Sequence, residues 1–118
     1  MTLFIDADRS KATGWEGYDF AINRKVGHKA GKRNQATVER YVRTVEEGSF
    51  TWETVGTATY RISGDTLTIA VPRALMGMEG RLNFEFKWSD NMQEPTVMDF
   101  YANGDAAPIG RFNYLYKE

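Results

Sequence analysis

An all-β, antiparallel fold follows from three observations in the sequence. The stretch RLNFEFKWSD alternates strictly, with Leu82, Phe84, Phe86 and Trp88 on one parity and Asn83, Glu85, Lys87 and Ser89 on the other. That is the pattern of a strand with one wet face. TATYRISGDTLTIAVP reads as a hairpin in which Gly64 and Asp65 reverse the chain, because such residues accept turn geometry and the flanking runs are β-branched and aromatic. No window of about twelve residues repeats at three and four, as an amphipathic helix would. About seven or eight short strands with inward rings then predict a β-sandwich of jelly-roll or immunoglobulin-like arrangement, since such rings need a second sheet to bury them. A closed barrel is the rival architecture.

The elements follow in chain order. Thr2 to Asp6, Tyr18 to Val26 and Ala36 to Thr44 carry the β-branched and aromatic bias of strands. Ala58, Tyr60 and Ile62 alternate with Thr57, Thr59 and Arg61 in the first arm of the hairpin, and Leu67, Ile69 and Val71 line the second, which Pro72 ends. One helical turn fits PRALMG, with Pro72 at its start and Gly77 as its stop. After the Leu82 to Ser89 strand, Asp99 to Tyr101 and Arg111 to Tyr116 supply one or two more, with Phe112, Tyr114 and Tyr116 on one parity. No internal repeat or Gly/Ser- or Pro-rich linker divides residues 1–118, which read as one domain.

Composition excludes several chemistries. The 118 residues contain no cysteine, so disulfides, thiolate zinc sites and cysteine catalysis are out, and the single histidine, His28, cannot build a multi-histidine metal site. Fifteen Lys plus Arg against sixteen Asp plus Glu leave a formal charge of -1, which offers no whole-chain attraction to nucleic acid or to an anionic membrane. No apolar run approaches the roughly 20 residues of a membrane span, and the opening MTLFIDAD lacks the features of a signal peptide.

The most distinctive local sequence is DADRSKATGWEGYD. Asp6, Asp8 and Asp19 could supply carboxylates to a hard cation, with calcium a better match than zinc. The loop fails the EF-hand spacing, because Gly17 stands where a bidentate Glu is needed. The alternative is that Asp6 and Asp8 make Asx turns and pair with Arg9 or Lys11. Trp15, between Gly14 and Gly17, can plug an end of the fold or stand out as a flat platform for the apolar face of a sugar. Trp52 offers a second platform or ordinary sheet burial, while the parity of Trp88 assigns it to the core.

Arg24, Lys25, His28, Lys29, Lys32 and Arg33 form the one concentrated basic stretch, either a contact for phosphate or acidic polysaccharide or a solvated hairpin loop. Its glycines do not match a phosphate-binding loop. Asn103, Asp105, Arg111 and Asn113 give a polar set that can fix a carbohydrate or satisfy a broad loop. No pair of acids is set across a cleft by any motif, and Glu85 reads as a solvent-facing partner of a cationic neighbour. The residues therefore imply no enzyme.

FIDADRSKATGWEGYDFAINR, with the later DTLTIAVPRALMG and DFYANGDAAPIGRFNY, resembles carbohydrate-binding module family 9 and its DOMON-like relatives. The likeness spans nearly the whole chain and matches Phe4 to Asp8, Thr13 to Trp15, Gly17 to Asp19 and Leu67 to Leu75. It implies a β-sandwich module, extracellular or periplasmic, that binds oligo- or polysaccharide without cleaving it. Members commonly carry strands before the FIDAD-like one, so this sandwich is expected to lack N-terminal strands and to pair its exposed edge in a homodimer. The expected ligand contacts are Trp15, Trp52, Asp19, Asn103, Asp105 and Arg111. Asp6, Asp8 and Asp19 are the expected metal set, with calcium optional and no cofactor required. The alternative is an assembly module that oligomerises through an incomplete sheet.

Overall fold

The computed structural model describes residues 1–24, 34–92, 96, 98–102 and 104–118. Eight strands form one antiparallel sheet: β1 (Thr2–Asp6), β2 (Phe20–Ile22), β3 (Gln35–Arg43), β4 (Phe50–Ser63), β5 (Thr66–Ala70), β6 (Asn83–Asp90), β7 (Asp105–Ala107) and β8 (Tyr114–Lys117). The order is β5-β4-β3-β2-β1-β6-β7, with β8 also on β6. Since β1 pairs with residues 85–89 of β6, β7 (against 88–90) and β8 (against 83–86) share the opposite edge of that strand. The sheet curls into a half-barrel. The described strands are thus continuous in one sheet where a sandwich would divide them between two.

Both faces of the half-barrel carry apolar groups, because β1 and β2 alternate apolar residues on both parities. One face gathers Ile5, Phe20, Ile22, Ala36, Val38 and Ala58, with Leu3, Tyr60, Ile69, Leu75, Phe84 and Phe86 packed around them. The other gathers Phe4, Tyr18, Ala21 and Phe100, flanked by Trp15, Trp52, Met92 and Ala106. The expected helical turn at PRALMG is a 3-10 turn, Arg73–Met76, capped by Gly77 at φ 63°. It lies against the first face through Leu75 and Met76.

Three local expectations need correction. Asp99–Ala102 is a single α-helical turn, α1, in place of a strand. Its Phe100 must reach down onto the second face, and a helical turn aims it there without needing a strand partner. The strand expected over Tyr18 to Val26 comprises Phe20–Ile22, since Tyr18 is spent closing a tight turn with Trp15. Lys25 to Arg33, including His28, and Asn103 lie outside the described residues.

The third correction concerns β6. Its supposedly wet parity contains its most buried side chains, Lys87 (1% exposed) and Ser89 (2%), while Phe84, Phe86 and Trp88 are half-buried. The reason is that β6 is flanked on both edges, and its second face is roofed by α1 and by the segment following β7. Lys87 Nζ donates to Pro108 O (2.7 Å) and Gly110 O (2.8 Å) and stands 5.7 Å from the centre of the Phe100 ring.

Candidate functional site

The second face of the sheet holds the residues with chemistry. Trp15 is placed by a tight reversal: its N–H donates to Tyr18 O and Tyr18 N–H donates to Trp15 O, both at 2.8 Å. The two central residues, Glu16 and Gly17, have φ of 53° and 93°, as a type I′ turn requires. Gly14, at φ 74°, has no room for a side chain, because a Cβ there would fall 2.1 Å from Tyr18 O.

Trp52 reaches the same face through a β-bulge. Val38 pairs with Gly56 but Glu39 pairs with Thr54, so Val55 is an extra residue on β4. Even-numbered residues after the bulge, such as Ala58, belong to the first core, whereas Trp52, also even, lies beside Trp15 in the second. An inserted residue reverses the face on which a parity points.

A continuous row of rings results. Trp15 lies 5.3 Å from Phe4, 6.0 Å from Phe100 and 6.5 Å from Trp52 between centroids. Trp52 meets Tyr41 edge-on at 6.0 Å, and Tyr41 stacks on Phe50 at 5.2 Å and 26°. Trp15, Trp52 and Tyr41 are half-buried and Phe50 is exposed, so each tryptophan is packed in the row and also open to solvent over part of its surface. Beside the row, Arg24 makes a bidentate contact with the fully buried Glu39, Nε to Oε2 at 2.7 Å and Nη2 to Oε1 at 3.0 Å. The Arg24 guanidinium also sits 5.7 Å over the Trp52 ring, a favourable cation–π arrangement.

At the end of β1 the three predicted acids do converge: one carboxylate oxygen from each of Asp6, Asp8 and Asp19 lies within 4.8 Å of the others. Asp19 Oδ2 accepts from Ala7 N (2.9 Å), and Asp8 accepts from Ser10 N (2.9 Å) and from the Thr13 hydroxyl (2.7 Å to Oδ2). Asp6 is fully buried, accepting from Ser10 N at 3.1 Å on one oxygen, while the other has no hydrogen-bond partner and faces Lys11 Nζ at 3.6 Å. Burial pushes the carboxyls of Asp6 and Asp19 above the ordinary value, whereas the Thr13 hydrogen bond lowers Asp8. The turn alternative is present as an Asx turn at Asp8 and a Lys11 pairing at Asp6, within a cluster of three carboxylates that could hold a metal ion. Arg9 pairs instead with Glu85, at 3.8 Å.

Next to this cluster opens a cleft of about 720 Å³ lined by Lys11, Glu16, Tyr18, Lys87, Met98, Phe100, Gly110 and Arg111. Asn113 ties its rim together: with its amide oxygen accepting from Lys11 Nζ (2.7 Å), its nitrogen donates to Tyr18 Oη (2.7 Å) and Phe112 O (3.1 Å). Burial lowers the Lys87 ammonium pKa, with the charge of Lys11 adding to the effect.

Of the predicted contacts, the fold brings Trp15 and Trp52 together, sets Asp19 in the acidic cluster and places Arg111 at the cleft. Asp105 is on β7, where its carboxylate accepts from Asn91 Nδ2 at 3.2 Å, and it does not line the cleft. Sequence reasoning missed Lys87, Tyr41 and the Arg24–Glu39 pair. The available signal for Lys87 was a lone cation between Phe86 and Trp88 in the most regular strand of the chain. Comparison with protein-family models, with curated proteins and with solved structures finds no match for this chain.

Proposed function

We propose that this chain is a non-catalytic carbohydrate-binding module whose ligand lies along the row Phe50, Tyr41, Trp52 and Trp15. The observation that carries the reading is the row itself: partly open rings, continuous along one sheet face. Aromatic faces cover the apolar side of a pyranose at small entropic cost, and the adjacent Arg24, held by the buried Glu39 and partly open to solvent, supplies donors for hydroxyls. The resemblance to carbohydrate-binding module family 9 points the same way and suggests a role outside the cell.

In this reading Asp6, Asp8 and Asp19 hold a calcium ion that stiffens the loop carrying Trp15. Hard oxygen donors and a buried carboxylate oxygen without a hydrogen-bond partner fit such an ion, which would displace Lys11 from Asp6. The module needs no other cofactor. Isothermal titration against neutral oligosaccharides tests the assignment. Binding should weaken at least about tenfold in Trp52→Ala and in Trp15→Ala, and unchanged affinity in both variants would remove these anchors.

A second reading rests on β8, whose four residues are all exposed, with Tyr114, Leu115 and Tyr116 roughly half open to solvent. A second copy packed there would complete a two-sheet sandwich and make the chain an assembly module.

A further inference from the structure

We propose that the cleft beside the aromatic row binds a carboxylated sugar unit, a uronate, through Arg111 and the field of Lys87. This rests on the carbohydrate-binding reading and adds to it the chemical class of the ligand.

The cleft is positively charged. Among the described residues, three cations, Lys11, Lys87 and Arg111, line the cleft against one carboxylate, Glu16. Lys11 is offset by Asp6 at 3.6 Å, whereas neither of the other two pairs with a carboxylate among the described residues. Lys87 spends two donors on the carbonyls of Pro108 and Gly110, which satisfy hydrogen bonding without cancelling charge. Among the described residues no carboxylate lies within 4.0 Å of its ammonium, and none pairs with Arg111. A buried cation with no anionic partner is costly unless something supplies the missing charge. The chain as a whole is at -1, so this positive patch belongs to the cleft and not to the average.

The cleft also has the shape of a small-ligand site. Tyr18 and Phe100 contribute aromatic surface to the cleft, and Phe100 touches Trp15 at 6.0 Å, so the cleft continues the aromatic row. Its volume of about 720 Å³ falls in the usual range for small-ligand sites. Arg111 is exposed and its planar guanidinium can take a carboxylate bidentately. Lys87, at 1% exposure, acts without touching the ligand. It anchors the carbonyls on which Arg111 is mounted and adds positive potential in a region of low dielectric.

The test is titration of the full chain with uronate trimers, their methyl esters and neutral trimers. The acid should bind about tenfold more tightly than its ester. Arg111→Ala should abolish that preference, Arg111→Lys should restore part of it, and added salt should weaken only the acid. Equal affinity for acid and ester, or inorganic tripolyphosphate binding as tightly as the uronate, overturns the proposal. If neutral sugars bind in a Trp52-dependent manner with no preference for the acid, the carbohydrate reading stands and this one falls. If no saccharide binds, both fall.

Discussion

Glu16 holds a left-handed backbone, φ 53°, at the first central position of the turn that presents Trp15. A long side chain is a poor occupant there, whereas Asn followed by Gly is favoured. Glu16→Asn should therefore raise stability by about 0.5 kcal/mol in urea unfolding. Gly14→Ala should lower it by more than about 3 kcal/mol, since Tyr18 O occupies the position of the new methyl group. The neighbouring acids set a pH dependence. Asp6 and Asp19 have folded pKa values above their ordinary 3.8, so the folded state binds more protons than the unfolded chain just above that value. Their contribution is fully present below pH 3.8 and is lost as pH rises through the folded values. Asp8 runs oppositely, contributing above its ordinary pKa and losing that contribution as pH falls through its lowered folded value. With chelator present, thermal melts should show stability falling as pH rises through the window of Asp6 and Asp19. Calcium at about 100 times its dissociation constant should restore about 2.7 kcal/mol near neutral pH, and Asp6→Asn should stabilise the chelated protein while removing that gain. Identical melts with and without calcium would dismiss the ion.

At the scale of elements, the extra residue on β4 absorbs the change of parity that puts Ala58 and Trp52 on opposite faces. Deleting Val55 restores a regular ladder with β3 in which Glu39 still faces Thr54 and Tyr41 still faces Trp52, so Trp52 stays on the second face. The variant should keep the near-ultraviolet circular dichroism of the coupled Trp15–Trp52 pair as well as its strand signal in the far ultraviolet. Loss of the near-ultraviolet signal with the strand signal kept would mean that the extra residue itself shapes the site. On β6 the two lone-pair-bearing carbonyls at Pro108 and Gly110 depend on Lys87. Lys87→Met strands them, and should cost about 1–3 kcal/mol with faster amide exchange in β8 than in β1. Much of the local architecture was legible in the letters. The Gly64–Asp65 hairpin, the Pro72–Gly77 turn and the final strand all occur, because each depends on turn chemistry or periodicity within a few residues. The helical turn at Asp99 was not legible, since its shape serves a contact between Phe100 and residues more than eighty positions away.

Across the whole molecule, the half-barrel is open. The radius of gyration, 14.2 Å, slightly exceeds the roughly 13.5 Å of a compact domain of this length. Its edge strand β8 exposes Tyr114, Leu115 and Tyr116, and unpaired edges with apolar side chains invite association. Light scattering over a concentration series should detect dimers, and Leu115→Lys should shift the equilibrium to monomer by at least about tenfold. A monomer at every concentration would reject the assembly reading and leave the binding module unaffected.

The sequence by itself determined an all-β antiparallel chain, the turns that punctuate it, and the convergence of Asp6, Asp8 and Asp19. These depend on side-chain period and on short loops, which local steric and hydrogen-bonding rules govern. Only the tertiary structure decided that the strands run on in one curled sheet, that Trp52 lies beside Trp15, and that Lys87 is buried behind a cationic cleft. Each of these depends on which strands are neighbours and on one inserted residue in a ladder. A one-residue change in register reverses a face, and hydrophobic alternation along a single strand carries no record of what is packed above it.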